Sequence, residues 1–514
     1  MDKATDFRND FNEKKIRALK AIQEATPKAE ADAGRPAYHF HSPAQWMDDP
    51  NGIIYHRGYY HLMYSLNPFS SEHRAGMVYK TESVSWQSEN KDWTGGVTVW
   101  GHARSQDLIN WEHLPIALYP SENSGEQFCW FGCTVINGED TPMAIYTSIG
   151  PNKRPEDSAD QWAALGDSDL ITWEPCPSNP ILSESIHGKT RVIEWRDPFI
   201  FKEEGRTFLI LGGKLDPKDG GEAVISIYEA QNKAYTKWKY RGILFRHTRK
   251  SLRSIECPNI AKLGSKWLIL LSPHGKVEYF VGQFDLQKCL FISKGHGIVD
   301  WSTNFYATNL LFDDKGRCIM WGCIEGFKQT SGWNGCLSLP RIIEISSDDQ
   351  LIQQPAPELM ALRGSHFVRS HFDVEDEIQT FKGLKGNTFE IVVELETVKA
   401  RMFGIKLMNG KGGLDITFSG DQLIAAGTYM PFVYDGRRLL LHVFLDKSVL
   451  EIFINNKQCL TCIVEVHSDF LEVGLFASEG KMRVGSVDVW ELVSSELFSF
   501  NYEIPSGMND YRKS

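Results

Sequence analysis

Ser105-Gln106-Asp107-Leu108-Ile109-Asn110-Trp111-Glu112 returns 62 residues later as Asp167-Ser168-Asp169-Leu170-Ile171-Thr172-Trp173-Glu174. Five of the eight positions are identical, which is too specific for two chance turns. A degenerate third copy ends at Trp238. Self-similarity at this period marks a repeated structural unit, here one that holds several short strands. The stretch 38–350 has room for about five such units, which predicts the blades of a β-propeller.

The rest of the chain fits around that frame. Within 38–350, short apolar runs rich in β-branched and aromatic residues alternate with turn residues. Ile53-Ile54-Tyr55 passes through His56-Arg57-Gly58 into Tyr59-Tyr60-His61-Leu62-Met63-Tyr64, a hairpin with a glycine turn. Residues 1–37 read as an N-terminal helix and lead-in. Phe7, Phe11, Leu19 and Ile22 recur at helical spacing over about 5–26, and Pro27, Gly34 and Pro36 end the pattern. Residues 351–370, with Pro355 and Pro357, read as a connector. In 371–500, Phe389-Glu390-Ile391-Val392-Val393-Glu394-Leu395 alternates with period two, as a half-buried strand does. That segment suits a β-sandwich, and 501–514 a polar tail. The predicted fold class is all-β: a five-bladed β-propeller, then a C-terminal β-sandwich, with a short N-terminal helix.

Composition narrows the function. The chain of 514 residues has net charge −11 and no Lys/Arg cluster, which argues against nucleic acid and anionic membrane surfaces. No run of about 18 apolar residues is present, and the charged N-terminus carries no secretory pattern, so a cytoplasmic protein with reduced thiols is expected. Cys459-Leu460-Thr461-Cys462 is a lone C-x-x-C in a strand-like run and does not make a zinc or redox site. No HExxH, Walker A or GxGxxG string occurs, so neither metal nor nucleotide cofactor is expected. The 15 Trp, 17 Tyr and 29 Phe offer rings that stack on sugars, although rings also fill β cores.

Three acids stand out by context. Asp49 lies in Trp46-Met47-Asp48-Asp49-Pro50-Asn51-Gly52, Asp197 in Trp195-Arg196-Asp197-Pro198, and Glu256 in Ile255-Glu256-Cys257-Pro258. Each is followed closely by a proline, which restricts the backbone beside the carboxylate. An acid before proline is in most sequences only a turn former. The spacing, however, puts each acid on a different repeat, where inner strands converge. Hydrolysis of a glycoside with retention needs two carboxyl groups about 5–5.5 Å apart. One is a nucleophile. The other is an acid whose pKa must be raised by its surroundings.

The chain resembles glycoside hydrolase family 32, the invertases, inulinases, levanases and related fructosyltransferases. Trp46 to Gly52 matches the W-M-N-D-P-N-G motif with Asp48 in place of Asn. Arg196-Asp197-Pro198 matches R-D-P, and Glu256-Cys257 matches E-C. Trp100-Gly101-His102-Ala103, Gly332-Trp333-Asn334-Gly335 and, in the second segment, Asp446-Lys447-Ser448 with Glu451-Ile452-Phe453 extend the match from Tyr38 to about Leu492. The resemblance implies a β-fructofuranosidase with Asp49 as nucleophile, Glu256 as general acid/base and Asp197 as transition-state stabiliser. It implies substrate contacts from Trp46, Asp48, Asn51, Ser65, Trp93, Trp130, Phe131, Arg196, Cys257 and Trp333. It implies no cofactor and a fructose-containing oligosaccharide as partner, and it leaves the second β segment a packing or homo-oligomer role.

Three departures bear on substrate choice. Ser65 stands where the family has Gln. Phe131 replaces a Ser that would face the sugar. Asp48 puts a second carboxylate beside Asp49, so one pKa should rise unless Arg196 or hydrogen bonds compensate. Residues 69–99 form a longer insertion, in which Trp86 and Trp93 could line an entrance or simply pack. The alternatives are a fructosyltransferase of the same family, another furanosidase, and a non-catalytic sugar-binding protein. Retention of Asp49 and Glu256 argues against the last.

Overall fold

The computed structural model describes residues 3–72, 97–150, 159–328, 330–384, 386–409, 413–465 and 471–498. The expected entrance tryptophans, Trp86 and Trp93, lie outside the described residues. Apart from the N-terminal helix and short 3₁₀ turns, the regular structure is β.

Five antiparallel sheets follow one another along the chain. Their first four strands in order are Gln45–His56, Tyr59–Asn67, Val99–Ser105 and Trp111–Leu118. The second sheet runs from Phe128–Ile136 to Trp173–Pro175, the third from Val192–Glu203 to Trp238–Arg246, and the fourth from Glu256–Leu263 to Leu290–Ile298. The fifth begins with Phe305–Phe312 and ends with Leu351–Pro355. The first strand of each sheet touches that of the next, and the fifth touches the first, so the five inner strands close a ring. Closure is fastened by Trp333–Asn334, which leaves the fifth sheet to pair parallel with Gln45 and Trp46 of the first. Gly335 makes this possible. At φ 87° its absent Cβ would stand 2.1 Å from the Met47 carbonyl oxygen, so no larger residue fits there.

The sequence repeat is the turn between the third and fourth strands. Asp107 Oδ1 accepts from the backbone N–H of Ile109 (3.0 Å) and Asn110 (2.8 Å). Asp167 likewise accepts from Ile171 (2.9 Å) and Thr172 (3.0 Å). Leu108 and Leu170 are buried at φ 66° and 62°. The third sheet makes the same turn with Asn232 as acceptor and Tyr235 at φ 54°, and the fourth with Asp285 and Cys289 at φ 52°. The turn requires a short acceptor side chain and one left-handed residue.

The helix runs Lys3–Glu30 with Pro27 inside it, past the expected end near residue 26. It survives because Pro27 sits in the last turns, where its carbonyl still receives Ala31 N–H at 3.2 Å. The Thr26 hydroxyl bonds the Ile22 carbonyl at 2.8 Å, and Ala18, Leu19, Ile22 and Ala29 are buried against the ring.

Residues 351–370, expected as a connector, are ordered structure. Leu351–Pro355 is the edge strand of the fifth sheet, and Arg363–Glu375 already belongs to the next unit. An edge strand tolerates Pro355, and Pro357 opens a 3₁₀ turn, so both prolines fit inside ordered structure. Two six-stranded antiparallel sheets follow, and their inward residues form one continuous core. After Leu492 the chain returns to the ring, where Leu497–Phe498 pairs parallel with Trp111–Glu112. No helix among the described residues is long and apolar enough to cross a membrane. All ten cysteines are free and buried, Cys459 and Cys462 among them.

Candidate active site

Every inner strand carries a two-residue irregularity at the same height. It lies between Met47 and Pro50, Cys129 and Gly132, Arg196 and Phe199, Glu256 and Asn259, and Tyr306 and Asn309. A bulge breaks the ladder and re-aims the side chains around it. The residues so displaced are Asp48-Asp49, Trp130-Phe131, Asp197-Pro198, Cys257-Pro258 and Ala307-Thr308. Asp197, Cys257 and Ala307 are left-handed there, at φ 66°, 47° and 46°. Strained backbone of this kind persists where the surroundings enforce it. The prolines occupy positions where no ladder N–H is required.

Arg196, Glu256 and Tyr306 hold equivalent places, just before the bulges of neighbouring sheets, and they touch in that order. Arg196 Nη2 donates to Glu256 Oε1. Tyr306 OH donates to Glu256 Oε2 at 2.6 Å. Arg196 Nη2 also lies 3.3 Å from Glu194 Oε2, and its Nε lies 3.8 Å from Asp197 Oδ2. Asp197 Oδ2 accepts from the Cys257 backbone N–H at 2.8 Å, and the Asp197 N–H donates to Thr147 Oγ1 at 2.8 Å. Asp197 and Arg196 are buried, whereas the Glu256 side chain keeps 19% of its surface exposed. Asp49 is half-buried, and Asp48, Asp49 and Cys323 offer polar atoms within 4.8 Å of one another. Asp49, Asp197 and Glu256 thus stand in or just before the bulges of three inner strands, and the charge of each reaches Cys257. Burial, reinforced by the charges of Asp197, Asp49 and Glu256, holds the Cys257 thiol well above its ordinary pKa.

The electrostatics differ from the expectation of a raised acid. Burial pushes Glu256 up, but the Arg196 charge, His274 and the Tyr306 hydrogen bond outweigh it, leaving the carboxyl at about 2. Asp197 goes the other way. Burial raises it to about 6 despite Arg196. Neighbouring carboxyl groups whose environments drive their pKa values apart mark a site of acid–base chemistry.

The remaining sequence-selected residues divide. Trp130 lies at the site, with the Arg196 guanidinium 6.0 Å from its ring centre. Cys257 meets Asp197 through its backbone N–H and is itself buried. Asn51 and Ser65 are buried and brace one another at 2.9 Å. Phe131 and Trp46 are 2% exposed and pack inward. Trp333 is not turned to an open site: its indole N–H donates to Asp32 Oδ2 at 2.8 Å and its ring packs on Phe327. Sequence reasoning missed Glu194, His274, Tyr306 and Asn309. Asn309 Nδ2 ties the fifth inner strand to the Pro50 carbonyl (2.9 Å) and the Gly132 carbonyl (3.2 Å) of the first and second. Only Glu194 left a signal, its place two residues before Arg196, and a bulge in which Glu194 takes φ 51° breaks the simple alternation there.

The N-terminal domain model of glycosyl hydrolases family 32 matches residues 39–86 and 75–355, and the C-terminal model matches 358–491. The chain belongs to glycoside hydrolase family 32. That membership makes it a glycoside hydrolase, and the matched segments divide the chain where the fifth sheet ends. A sucrose-6-phosphate hydrolase of Zymomonas mobilis is 26% identical, over 95% of this chain and 98% of that protein. The sucrose-6-phosphate hydrolase of Bacillus subtilis is 27% identical, over 86% and 90%. Among solved structures, the family 32 β-fructofuranosidase of Bombyx mori shares the fold, with TM-score 0.76 and 22% identity over 95% of this chain and all (100%) of that one.

Proposed function

We propose that this family 32 protein is a retaining β-fructofuranosidase that cleaves sucrose or short fructo-oligosaccharides through a covalent fructosyl-enzyme. The observation that supports the reading is that Asp49, Asp197 and Glu256 stand in or just before the bulges of inner strands from three different sheets, all within electrostatic reach of Cys257. In this reading the five sheets are the blades of a propeller over 38–355, and the two six-stranded sheets form a β-sandwich. The Asp49 carboxylate attacks the anomeric carbon while the glycosidic oxygen leaves with a proton from Glu256. Glu256 then takes a proton from water, which attacks the same carbon and releases Asp49. Asp197, anchored by Cys257 and Thr147, accepts hydroxyl hydrogen bonds from the sugar ring, and Arg196 and Trp130 border that ring. The relatives named as sucrose-6-phosphate hydrolases make the phosphorylated disaccharide a substrate to be compared directly.

The test is product release across sucrose, sucrose 6-phosphate, 1-kestose, inulin and levan, with products resolved over time. Fructose from the disaccharides or kestose, formed with the starting anomeric configuration, supports the reading. Inversion, or no fructose from any of the five, removes it. Fructosyl transfer at high substrate concentration would instead favour the transferase alternative.

A further inference from the structure

A glutamate held at about 2 beside Arg196 has no proton to give near neutrality, yet a general acid must have one. His274 answers this by geometry. Its Nδ1 lies 3.5 Å from Glu256 Oε2, and its Nε2 lies 2.8 Å from Ser254 Oγ. The single Ser254 hydroxyl hydrogen is committed elsewhere, because Ser254 Oγ donates to Glu194 Oε2 at 2.8 Å. Glu194 itself accepts from Arg196 Nη2 (3.3 Å) and Arg253 Nε (3.0 Å), and as a carboxylate it has no hydrogen to return. Ser254 can therefore only accept from His274, which places a hydrogen on Nε2. In the neutral ring the Nδ1 lone pair then faces a carboxylate oxygen, an arrangement that one shared proton relieves.

The rest of the loop holds this alignment. The His274 backbone N–H donates to Tyr306 OH at 2.9 Å, and the same hydroxyl donates to Glu256 Oε2. His274 takes φ 56°, a conformation histidine adopts more readily than most residues. Its side chain is 22% exposed and that of Glu256 19%, so neither is sealed in the core. Among the described residues, the charged or titratable groups around the imidazole are Glu256 and Tyr306 on one side, and Glu194 with Arg253 behind Ser254. Arg196 stands beyond Glu256.

We propose that Glu256 and His274 hold the catalytic proton jointly, with Ser254 and Glu194 fixing the imidazole tautomer. The inference rests on Glu256 being the acid/base of the proposed reaction. As the bond from the anomeric carbon to the leaving oxygen breaks, its electron pair stays on that oxygen. The proton moves from the pair to the oxygen, and Asp49 forms the ester. In the second half the attacking water surrenders one proton to the pair, which returns to its starting state. His274 acts through Glu256 and is a positioning residue.

The experiment compares wild type, Glu256→Ala, His274→Gln and Ser254→Ala on sucrose and on p-nitrophenyl β-fructofuranoside, whose leaving group needs little protonation. His274→Gln keeps a donor toward Ser254 but cannot carry the proton. It should lower kcat on sucrose by about 10²-fold, with the activated glycoside far less affected, and move the alkaline limb of the profile to lower pH. Ser254→Ala should move the same limb by less and supplies the readout if His274→Gln does not fold. A wild-type profile and an unchanged leaving-group dependence in the folded variants overturn the pairing. If Glu256→Ala itself retains wild-type rates on sucrose, the acid/base reading fails first. If it loses activity while His274→Gln behaves as wild type, only the pairing fails.

Discussion

Two buried charge clusters use the same residue types to opposite ends. At the seam between the ring and the second β unit, His39 Nδ1 meets Asp446 Oδ2 at 2.8 Å and its Nε2 meets Glu451 Oε1 at 3.0 Å. Arg341 Nη2 reaches Glu451 Oε2 (2.6 Å), Asp300 Oδ2 (2.9 Å) and Thr461 Oγ1 (2.9 Å), and every one of these charged side chains is 0% exposed. Each carboxylate oxygen there is matched. Asp446 also takes the backbone N–H of Ala37, Tyr38 and His39, and Glu451 that of Leu339. Burial works against ionisation, but the hydrogen bonds win, so Asp446 and Glu451 stay low and His39 rises to about 9. At the centre of the ring the balance differs. Arg196 serves Glu194, Asp197 and Glu256 at once, its Nη1 has no partner among the described residues, and two neighbouring acids are driven apart to about 6 and about 2. The seam leaves Arg341 Nε without a partner among the described residues, as the site leaves Arg196 Nη1, so the difference lies in the acids: carboxylates whose every oxygen is matched make a fixed joint, whereas three carboxylates that share one cation can be re-paired by a substrate.

The largest effect should come from the site. Asp49→Ala or Glu256→Ala should lower turnover by about 10³-fold or more, measured as fructose release, with both variants still unfolding cooperatively. A melting temperature that collapses in both variants would mean the site is a structural joint too. At the seam the converse holds. Arg341→Met strands the buried carboxylates of Asp300 and Glu451, and should cost about 3–5 kcal/mol in a denaturant titration while the folded fraction keeps its kcat. Loss of activity without loss of stability would erase the contrast between the clusters.

The sequence made the two ends of this comparison unequally visible. The Asp-Leu-Ile-x-Trp-Glu repeat was readable because two copies kept the left-handed Leu and the buried Trp that follows, although the turn acceptor moves from Asp107 to Asp167, the counterpart of Ser105. The third and fourth copies reach the same turn with Asn232 and Asp285, with Tyr235 and Cys289 left-handed, and hydrogen-bond chemistry alone leaves no common string. The three acids were readable because each stands near a proline that its bulge accommodates. Their partners were not. Nothing in Ser272-Pro273-His274-Gly275 announces that His274 will face Glu256, since that contact depends on two strands of the fourth sheet and their register. Trp333 misled for a related reason: a motif position near the ring axis says nothing of Asp32, which takes the indole from the helix side. The Asp446 and Glu451 signature was legible only as resemblance, and its physical content is the seam.

The seam also predicts a pH dependence distinct from that of the site. His39 has its pKa raised on folding, from about 6.5 to about 9, so its contribution is fully present below pH 6.5 and is lost as pH climbs through 9. The shift amounts to about 3 kcal/mol. His39→Gln should flatten the fall in stability between pH 6.5 and 9, measured by denaturant midpoint. A steep fall that persists in the variant would place its origin elsewhere. The Glu256 contribution runs oppositely: its lowered pKa gives stability present above pH 4.5 that disappears as pH falls toward 2.

The smallest effect tests whether burial, rather than charge pairing as such, sets these magnitudes. Arg57 Nη1 and Asp169 Oδ1 are 2.9 Å apart, joining the first sheet to the turn of the second with geometry as good as any seam contact, but their side chains are 59% and 64% exposed. Water solvates both charges in the folded and unfolded states, and salt screens what attraction remains. Arg57→Ala should therefore change stability by no more than about 1 kcal/mol, with the difference shrinking as ionic strength rises. A loss as large as that of Arg341→Met would mean that the contact between sheets, independent of its exposure, holds the ring closed.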